Sequence, residues 1–192
     1  MFRTLPQTRQ FSLAQRLVVI GLFTLLTAIA AQFKFYLDNP HVPYTLQVLV
    51  VLLAGMVLGA RDGALSQIFY IGLLVLNVPV AAGGVGVSAL TGATAGYIVG
   101  FIPAAWVTGF MVEHGANRTW QRLAASLVGV AIIYACGLPV LKLTLGVDWA
   151  TAWALSVAPF IVIDVVKAIV AAGLTEGGRA ALLRYFLPPA GR

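Results

Sequence analysis

The feature that most constrains this chain is a series of apolar runs separated by short polar segments. About 20 apolar residues are needed for a helix to cross the roughly 30 Å hydrocarbon core of a bilayer. Six runs in the 192 residues approach or reach that length. They cover residues 16–37, 45–60, 63–80, 91–112, 122–144 and 158–175. The pattern predicts an all-α integral membrane protein in which six transmembrane helices form a single domain, residues 1–192.

The composition indicates that lipid is the main solvent of the folded chain. Hydrophobic residues make up 60% of the sequence and charged residues 9%, whereas soluble domains carry about 25% charged residues. Too few polar side chains are present to coat a soluble globule. The formal net charge of +6 does not indicate nucleic-acid binding, because the basic residues lie between apolar runs and form no patch interleaved with aromatic side chains.

The basic residues predict the orientation of the chain, because cytoplasmic loops of membrane proteins are enriched in lysine and arginine. With the N-terminus inside, nine arginines fall in cytoplasmic segments, and only Lys34 and Lys142 fall in outer loops. The nine are Arg3, Arg9, Arg16, Arg61, Arg118, Arg122, Arg179, Arg184 and Arg192. We therefore expect a multi-pass protein of the cytoplasmic membrane with both termini in the cytoplasm.

The second and third predicted spans are short for a bilayer, so we expect these helices to be tilted or shielded by their neighbours. Residues 61–63 (RDG) are interpreted as a tight turn between them. The run that begins at Leu17 also resembles a secretory signal, with Ala28-Ile29-Ala30 as a cleavage site. This run continues to Leu37, which favours a retained span over a cleaved one.

The sixth run carries two charges that hydrocarbon would penalise. Asp164 and Lys167 are three residues apart, so a helix places them on one face. Each costs about 2.5–3.5 kcal/mol at mid-membrane, and an exposed pair at this spacing returns only about 0.2–0.5 kcal/mol. If the helix begins near Pro159, Asp164 lies about 8 Å deeper, which favours a cavity reachable from outside.

Two interpretations of this charged pair remain open from the residues alone. The pair either binds a small molecule or holds two spans together as a buried ion pair. The first is favoured, because charges inside membranes usually mark substrate or ion pathways. A carboxylate accepts N–H donors and an ammonium donates to carbonyl or carboxylate oxygens, so the ligand would carry both kinds of group on an otherwise apolar body.

Two uncharged segments are further candidates for function. Residues 78–97 form a glycine-containing outer loop, which is either a pocket wall built from backbone groups or an ordinary connection. The loop lacks the lysine of a phosphate-binding loop, and no nucleotide-binding motif occurs elsewhere, so ATP-driven work would require another subunit. Thr24 and Ala28 form a stripe of small residues that permits close helix contact, either with a partner or, as the residues alone favour, within the chain.

Three segments of the chain resemble the biotin transporter S components (BioY type) of energy-coupling factor transporters. They are VPYTLQVLVVLLAGMVLGARDGALSQIFYIGLLVLNVPVAAGG (42–84), GATAGYIVGF (92–101) and PFIVIDVVKA (159–168). Proteins of this family are small membrane subunits that capture biotin and deliver it with a transmembrane coupling subunit and a pair of ABC-type ATPases. The resemblance implies the same six spans, biotin as the transported ligand, and no cofactor.

The resemblance also implies which residues contact biotin. The Asp-x-x-Lys of the family falls on Asp164 and Lys167, which become the principal contacts. Weaker matches imply a second group of contacts, consisting of Tyr44, Gln47, Gly83, Gly84 and Tyr97. The small-residue stripe implies that Thr24 and Ala28 face the coupling subunit, although many relatives have alanine at the first position. The segment GATAGY (92–97) also departs from the GPTGGY common in the family.

Other functions fit fewer of these observations. An S component for another small vitamin would share the architecture, and only the motif match selects biotin. An intramembrane enzyme using Asp164 and Lys167 as acid and base would need further polar groups, yet His41 and His114 fall in loops on opposite sides. An ion channel would need polar residues across the whole bilayer. We therefore predict no catalytic residue and no metal site, and homo-oligomerisation remains possible.

Overall fold

The computed structural model describes residues 11–35, 42–116 and 118–186, and these form seven α-helices and a short 3-10 helix. The helices are α1 Leu13–Gln32, α2 Gln47–Leu58, α3 Ala60–Val75, α4 Ala95–Glu113, α5 Thr119–Leu145, α6 Trp149–Ser156 and α7 Ile161–Phe186. The 3-10 helix, Val87–Leu90, lies between α3 and α4. The all-α prediction is confirmed. Leu37, His41, Arg3, Arg9 and Arg192 lie outside the described residues.

Three helices of the described chain, α1, α4 and α5, are long and apolar enough to cross a membrane. A fourth candidate is α6 together with Ile161–Gly178 of α7, a pair bent by 50° at the break between them. The short helix α6 has no counterpart among the predicted spans. The protein is therefore an all-helical membrane protein with three to four candidate spans in the described residues.

The helix α2 lies in the middle of the bundle, which allows it to be shorter than a span that faces lipid along its length. Its 12 residues extend about 18 Å. It packs against α1, α3, α4, α5 and α7, and Val51, Leu52, Ala54 and Met56 are fully buried. Neighbouring helices thus supply the apolar surroundings that a longer helix would find in the bilayer.

The prediction of a tight turn at residues 61–63 is wrong. The chain reverses at Gly59, whose φ is +92°, and residues 61–63 belong to the first turn of α3. Asp62 is favoured there because a helix N-terminus attracts negative charge, and it is paired with Arg16. Gly63 is needed for packing, since a Cβ atom at this position would lie 2.7 Å from the Cα atom of Gly55 on α2.

One end of the bundle collects three polar contacts between helices. Arg16 on α1 donates to both carboxylate oxygens of Asp62, from Nη2 at 2.5 Å and from Nε at 3.1 Å. Arg122 on α5 pairs with Glu176 on α7 at 2.7 Å. The backbone N–H of Ala60 donates to Glu113 at the end of α4, at 3.1 Å. These contacts hold the helices together at one end of the bundle. The loops after α1, α3 and α5 lie at the other end.

Candidate ligand-binding site

A cavity of about 320 Å³ lies at the end of the bundle opposite these ion pairs. Its wall combines the start of α2, the loop after α3, the start of α4, and parts of α5, α6 and α7. Most lining residues are apolar. The polar ones are Thr45, Gln47, Ser88, Thr94, Tyr97, Tyr134, Ser156, Asp164 and Lys167. The size falls at the lower end of the range of about 300–1,000 Å³ that is typical of small-molecule sites.

The charged pair predicted from the sequence lies on this wall. The ammonium of Lys167 donates to Oδ1 of Asp164 at 2.7 Å, and the two residues are 6% and 2% exposed. Tyr134 on α5 donates its hydroxyl to Oδ2 of the same carboxylate at 2.6 Å. Asp164 also lies in the first turn of α7, where the helix dipole stabilises negative charge. The break between α6 and α7 brings that helix end to the cavity.

The pair retains capacity for a ligand after these contacts are made. Each carboxylate oxygen has two lone pairs, and the ammonium has three N–H donors. One donor of Lys167 is directed to Asp164, which leaves two for other groups. No histidine and no second carboxylate lines the cavity among the described residues. The arrangement is suited to hydrogen bonding and charge complementarity rather than to acid–base chemistry.

Tyr97 and Gln47, two residues of the second predicted group, also line the cavity. Tyr97 is 8% exposed, and its hydroxyl faces Ser156 without forming a hydrogen bond of normal geometry. The hydroxyl of Ser156 instead donates to the carbonyl of Ala152 at 2.8 Å. Gln47 donates to the hydroxyl of the fully buried Tyr70 at 2.9 Å. An unsatisfied buried hydroxyl costs about 1–3 kcal/mol, so a ligand that meets Tyr97 is favoured.

Tyr44 lies one layer behind the cavity. Its hydroxyl donates to the carbonyl of Pro159 at 3.1 Å. Its ring is stacked on Phe160, with 4.2 Å between the ring centroids, and Phe160 lines the cavity. Tyr44 therefore supports the wall and the break between α6 and α7.

Gly83 and Gly84 shape the loop and do not themselves line the cavity. Their φ angles are +99° and +70°, a region that side chains other than glycine rarely adopt. The turn they form is closed by two hydrogen bonds of 3.0 Å, from the N–H of Gly84 to the carbonyl of Ala81 and from the N–H of Ala81 to the carbonyl of Val85. Ala81 and Val85 form part of the wall, so the glycines act by placing their neighbours.

Thr24 and Ala28 are covered by the chain itself. They are 6% and 7% exposed, and the hydroxyl of Thr24 donates to the carbonyl of Ser66 on α3 at 2.9 Å. Of the two interpretations of the small-residue stripe, this structure has packing within the chain. Contact of these residues with a coupling subunit remains a prediction.

Sequence reasoning missed Tyr134, the third member of the polar group at Asp164. It occurs in the apolar run AIIYACGLPV. The available signal was general, since a buried tyrosine hydroxyl usually finds a hydrogen-bond partner. The sequence alone did not indicate that this partner would be the carboxylate of another helix.

The bundle, with a cavity whose wall carries a buried charged pair, is typical of a membrane protein that binds a small molecule. A family model described as "BioY family" matches residues 4–184. The chain is 38% identical over 167 residues to a probable biotin transporter BioY of Lysinibacillus sphaericus, covering 83% of this chain and 84% of that protein. It is 41% identical over 158 residues to the biotin transporter BioY of Rhizobium etli, covering 78% and 82%.

A solved structure has the same fold at lower sequence identity. This is the S-component for biotin from an ECF-type ABC transporter, with a TM-score of 0.81 and 22% identity. The match covers 90% of this chain and 96% of that one. The chain belongs to the BioY family. Its assignment to a family of transporters, rather than to an enzyme class, is thereby confirmed.

Proposed function

We propose that this chain is the biotin-binding membrane subunit of an energy-coupling factor transporter. The observation that carries the proposal is the position of Asp164 and Lys167. The two are buried in mutual contact, and both lie on the wall of the cavity. The pair itself joins no two helices, because both residues belong to α7. The relatives named as biotin transporters support biotin as the ligand.

The chemistry of biotin suits the cavity. Biotin has a neutral ureido ring with two N–H donors and one carbonyl, an apolar body, and a carboxylate at the end of its tail. The mostly apolar wall receives the body, while Asp164 offers acceptors and Lys167 offers donors. Tyr97 adds a hydroxyl that lacks a hydrogen bond of normal geometry within the described chain.

In the proposed topology, the protein crosses the cytoplasmic membrane six times, and both termini lie in the cytoplasm. The helices α1 to α5 would each be one span, and the bent pair α6–α7 would be the sixth. Arg16 and Arg122 belong to the end of the bundle opposite the cavity, and this end would face the cytoplasm. Lys34 and Lys142 belong to the cavity end, in agreement with the expected charge asymmetry.

The proposed partners are a transmembrane coupling subunit and ABC-type ATPases. The sequence contains no nucleotide-binding motif, so energy from ATP must come from other chains. Docking through Thr24 and Ala28 would require a change in the packing of α1 on α3, because both side chains are covered. The solved S-component from an ECF-type ABC transporter, which has the same fold, supports such an assembly.

Binding of radiolabelled biotin to the detergent-purified protein tests the proposal. We expect saturable binding at one site, displaced by unlabelled biotin and unaffected by an excess of thiamin or riboflavin. Displacement by one of these vitamins would favour an S component of another specificity. Absence of any saturable biotin binding by a folded sample would reject the proposed ligand.

A further inference from the structure

The charges at the cavity end of the bundle do not cancel among the described residues. Asp164 and Lys167 neutralise each other at 2.7 Å. Lys34, which follows the end of α1, is exposed, and no carboxylate of the described chain lies within ion-pairing distance of it. Lys142, the third cation of this end, lies over the ring of Trp149 at 5.2 Å and has the carboxylate of Asp148 nearby as its counter-charge. Among the described residues, Lys34 therefore supplies a positive charge without a counter-ion; Asp38, the acidic residue nearest to it in the sequence, lies outside them.

The ammonium of Lys34 lies over the loop that forms one side of the cavity. A Cβ atom at Gly83 would be 3.3 Å from Nζ of Lys34. Gly83 directly follows Ala82, which lines the cavity. The end of α1 is fastened to the same loop, because the side-chain amide of Gln32 donates to the carbonyls of Val80 and Ala81 at 3.3 and 3.4 Å. These contacts place Lys34 at the rim of the cavity.

The part of the wall formed by Asp164 and Lys167 is better suited to a neutral polar group than to an anion. Both oxygens of Asp164 already accept a hydrogen bond, and the positive charge of Lys167 is matched by that carboxylate. A ligand carboxylate placed there would be attracted by Lys167 and repelled by Asp164 at similar range. A neutral ring with both donors and acceptors meets no such repulsion.

We infer that Lys34 forms the subsite for the carboxylate of the ligand, with the neutral ureido ring directed to Asp164 and Lys167. The inference rests on the proposed function and assigns an orientation to the ligand. In this orientation, the single negative charge of biotin matches the cation that has no described counter-ion. The internal ion pair meets the uncharged ring.

A comparison of two ligands with matched variants tests the inference. Biotin and biotinamide share the ring, the apolar body and the tail, but biotinamide has a neutral amide in place of the carboxylate. The variant Lys34→Gln removes the charge at the rim, and Lys142→Gln removes the other charge at the same end. Affinities of the full-length protein for both ligands are measured in detergent at low and high ionic strength, and thermal unfolding checks that each variant is folded.

We expect Lys34→Gln to bind biotin about fivefold more weakly, as is typical of a partly exposed ion pair. Its affinity for biotinamide should equal that of the parent protein, and Lys142→Gln should behave as the parent with both ligands. Raising the salt concentration should weaken biotin binding by the parent but not by Lys34→Gln, because exposed charge pairs are screened.

Two outcomes would overturn the inference while leaving the proposed function intact. One is that Lys34→Gln binds biotin with parental affinity. The other is that Lys34→Gln weakens biotin and biotinamide equally, since the residue would then act on the loop rather than on the carboxylate. Failure of the folded parent to bind either ligand would instead reject the proposed function and the inference together.

Discussion

Removal of the charge on Asp164 should affect stability and ligand binding in separable ways. The substitution Asp164→Asn keeps the shape of the side chain but leaves the ammonium of Lys167 buried, since Lys167 is 6% exposed. Breaking a buried pair by removing one partner typically costs about 3–5 kcal/mol. The same change removes a carboxylate that accepts hydrogen bonds from Tyr134 and Lys167, and we expect at least a tenfold loss of biotin affinity, about 1.4 kcal/mol.

The double variant Asp164→Asn/Lys167→Met separates the two effects. It removes both charges at similar volume, and replacing a buried pair as a whole is often neutral for stability. We therefore expect thermal stability in detergent to return toward that of the parent, while biotin affinity remains at least tenfold lower. Binding of radiolabelled biotin and thermal unfolding, measured on the same samples, report the two quantities.

Asp62→Asn provides a matched control at the other end of the bundle. Asp62 is 1% exposed and pairs with Arg16, so its substitution should lower stability through lost hydrogen bonds without changing biotin affinity. If the double variant bound biotin as tightly as the parent, the charged pair would have no role in binding. If Asp62→Asn weakened binding as much as Asp164→Asn, the loss at Asp164 would reflect general destabilisation and not a lost ligand contact.

Two further substitutions test the support of the site. Tyr134→Phe removes the donor to Oδ2 of Asp164, and we expect a stability loss of about 1–3 kcal/mol with several-fold weaker biotin binding, measured by thermal unfolding and titration. Gly137→Ala places a methyl group where the ring of Tyr97 lies, 2.3 Å away, which should cost about 1–3 kcal/mol and weaken binding. Gly173→Ala, which meets no atom within 4 Å, should leave both measurements unchanged.

The helices were largely predictable because apolar runs in a chain with so few charges leave little choice of structure. The predicted spans 91–112 and 122–144 differ from α4 and α5 by only a few residues at each end. The turn at residues 61–63 was mislocated because a charged pair in an apolar chain resembles a loop. The negative charge of Asp62 is instead paired within the bundle with Arg16. No local pattern in the sequence reveals a partner 46 residues away.

From the residues alone, the candidate site was predictable only where a residue conflicts with its surroundings, whereas Gln47 and Tyr97 were predicted through the family resemblance. Asp164 and Lys167 stand out because hydrocarbon penalises charges. Hydroxyl groups give no such signal, since serine and threonine satisfy themselves on the preceding turn of a helix, as Ser156 does with Ala152. Which of them border the cavity depends on how five helices and a loop converge.

The stacked rings of Phe35, Tyr44 and Phe160 have a mechanical consequence. Phe35 and Tyr44 are parallel at 5.1 Å and also exchange backbone hydrogen bonds of 3.1 and 3.0 Å, while Tyr44 is stacked on Phe160. A molecule that pressed Phe160 outward would have to displace all three rings and part the two chain segments that carry them. This side of the cavity is therefore rigid and preorganised before the vitamin binds. Binding then orders few additional groups on this side, which lowers its entropic cost.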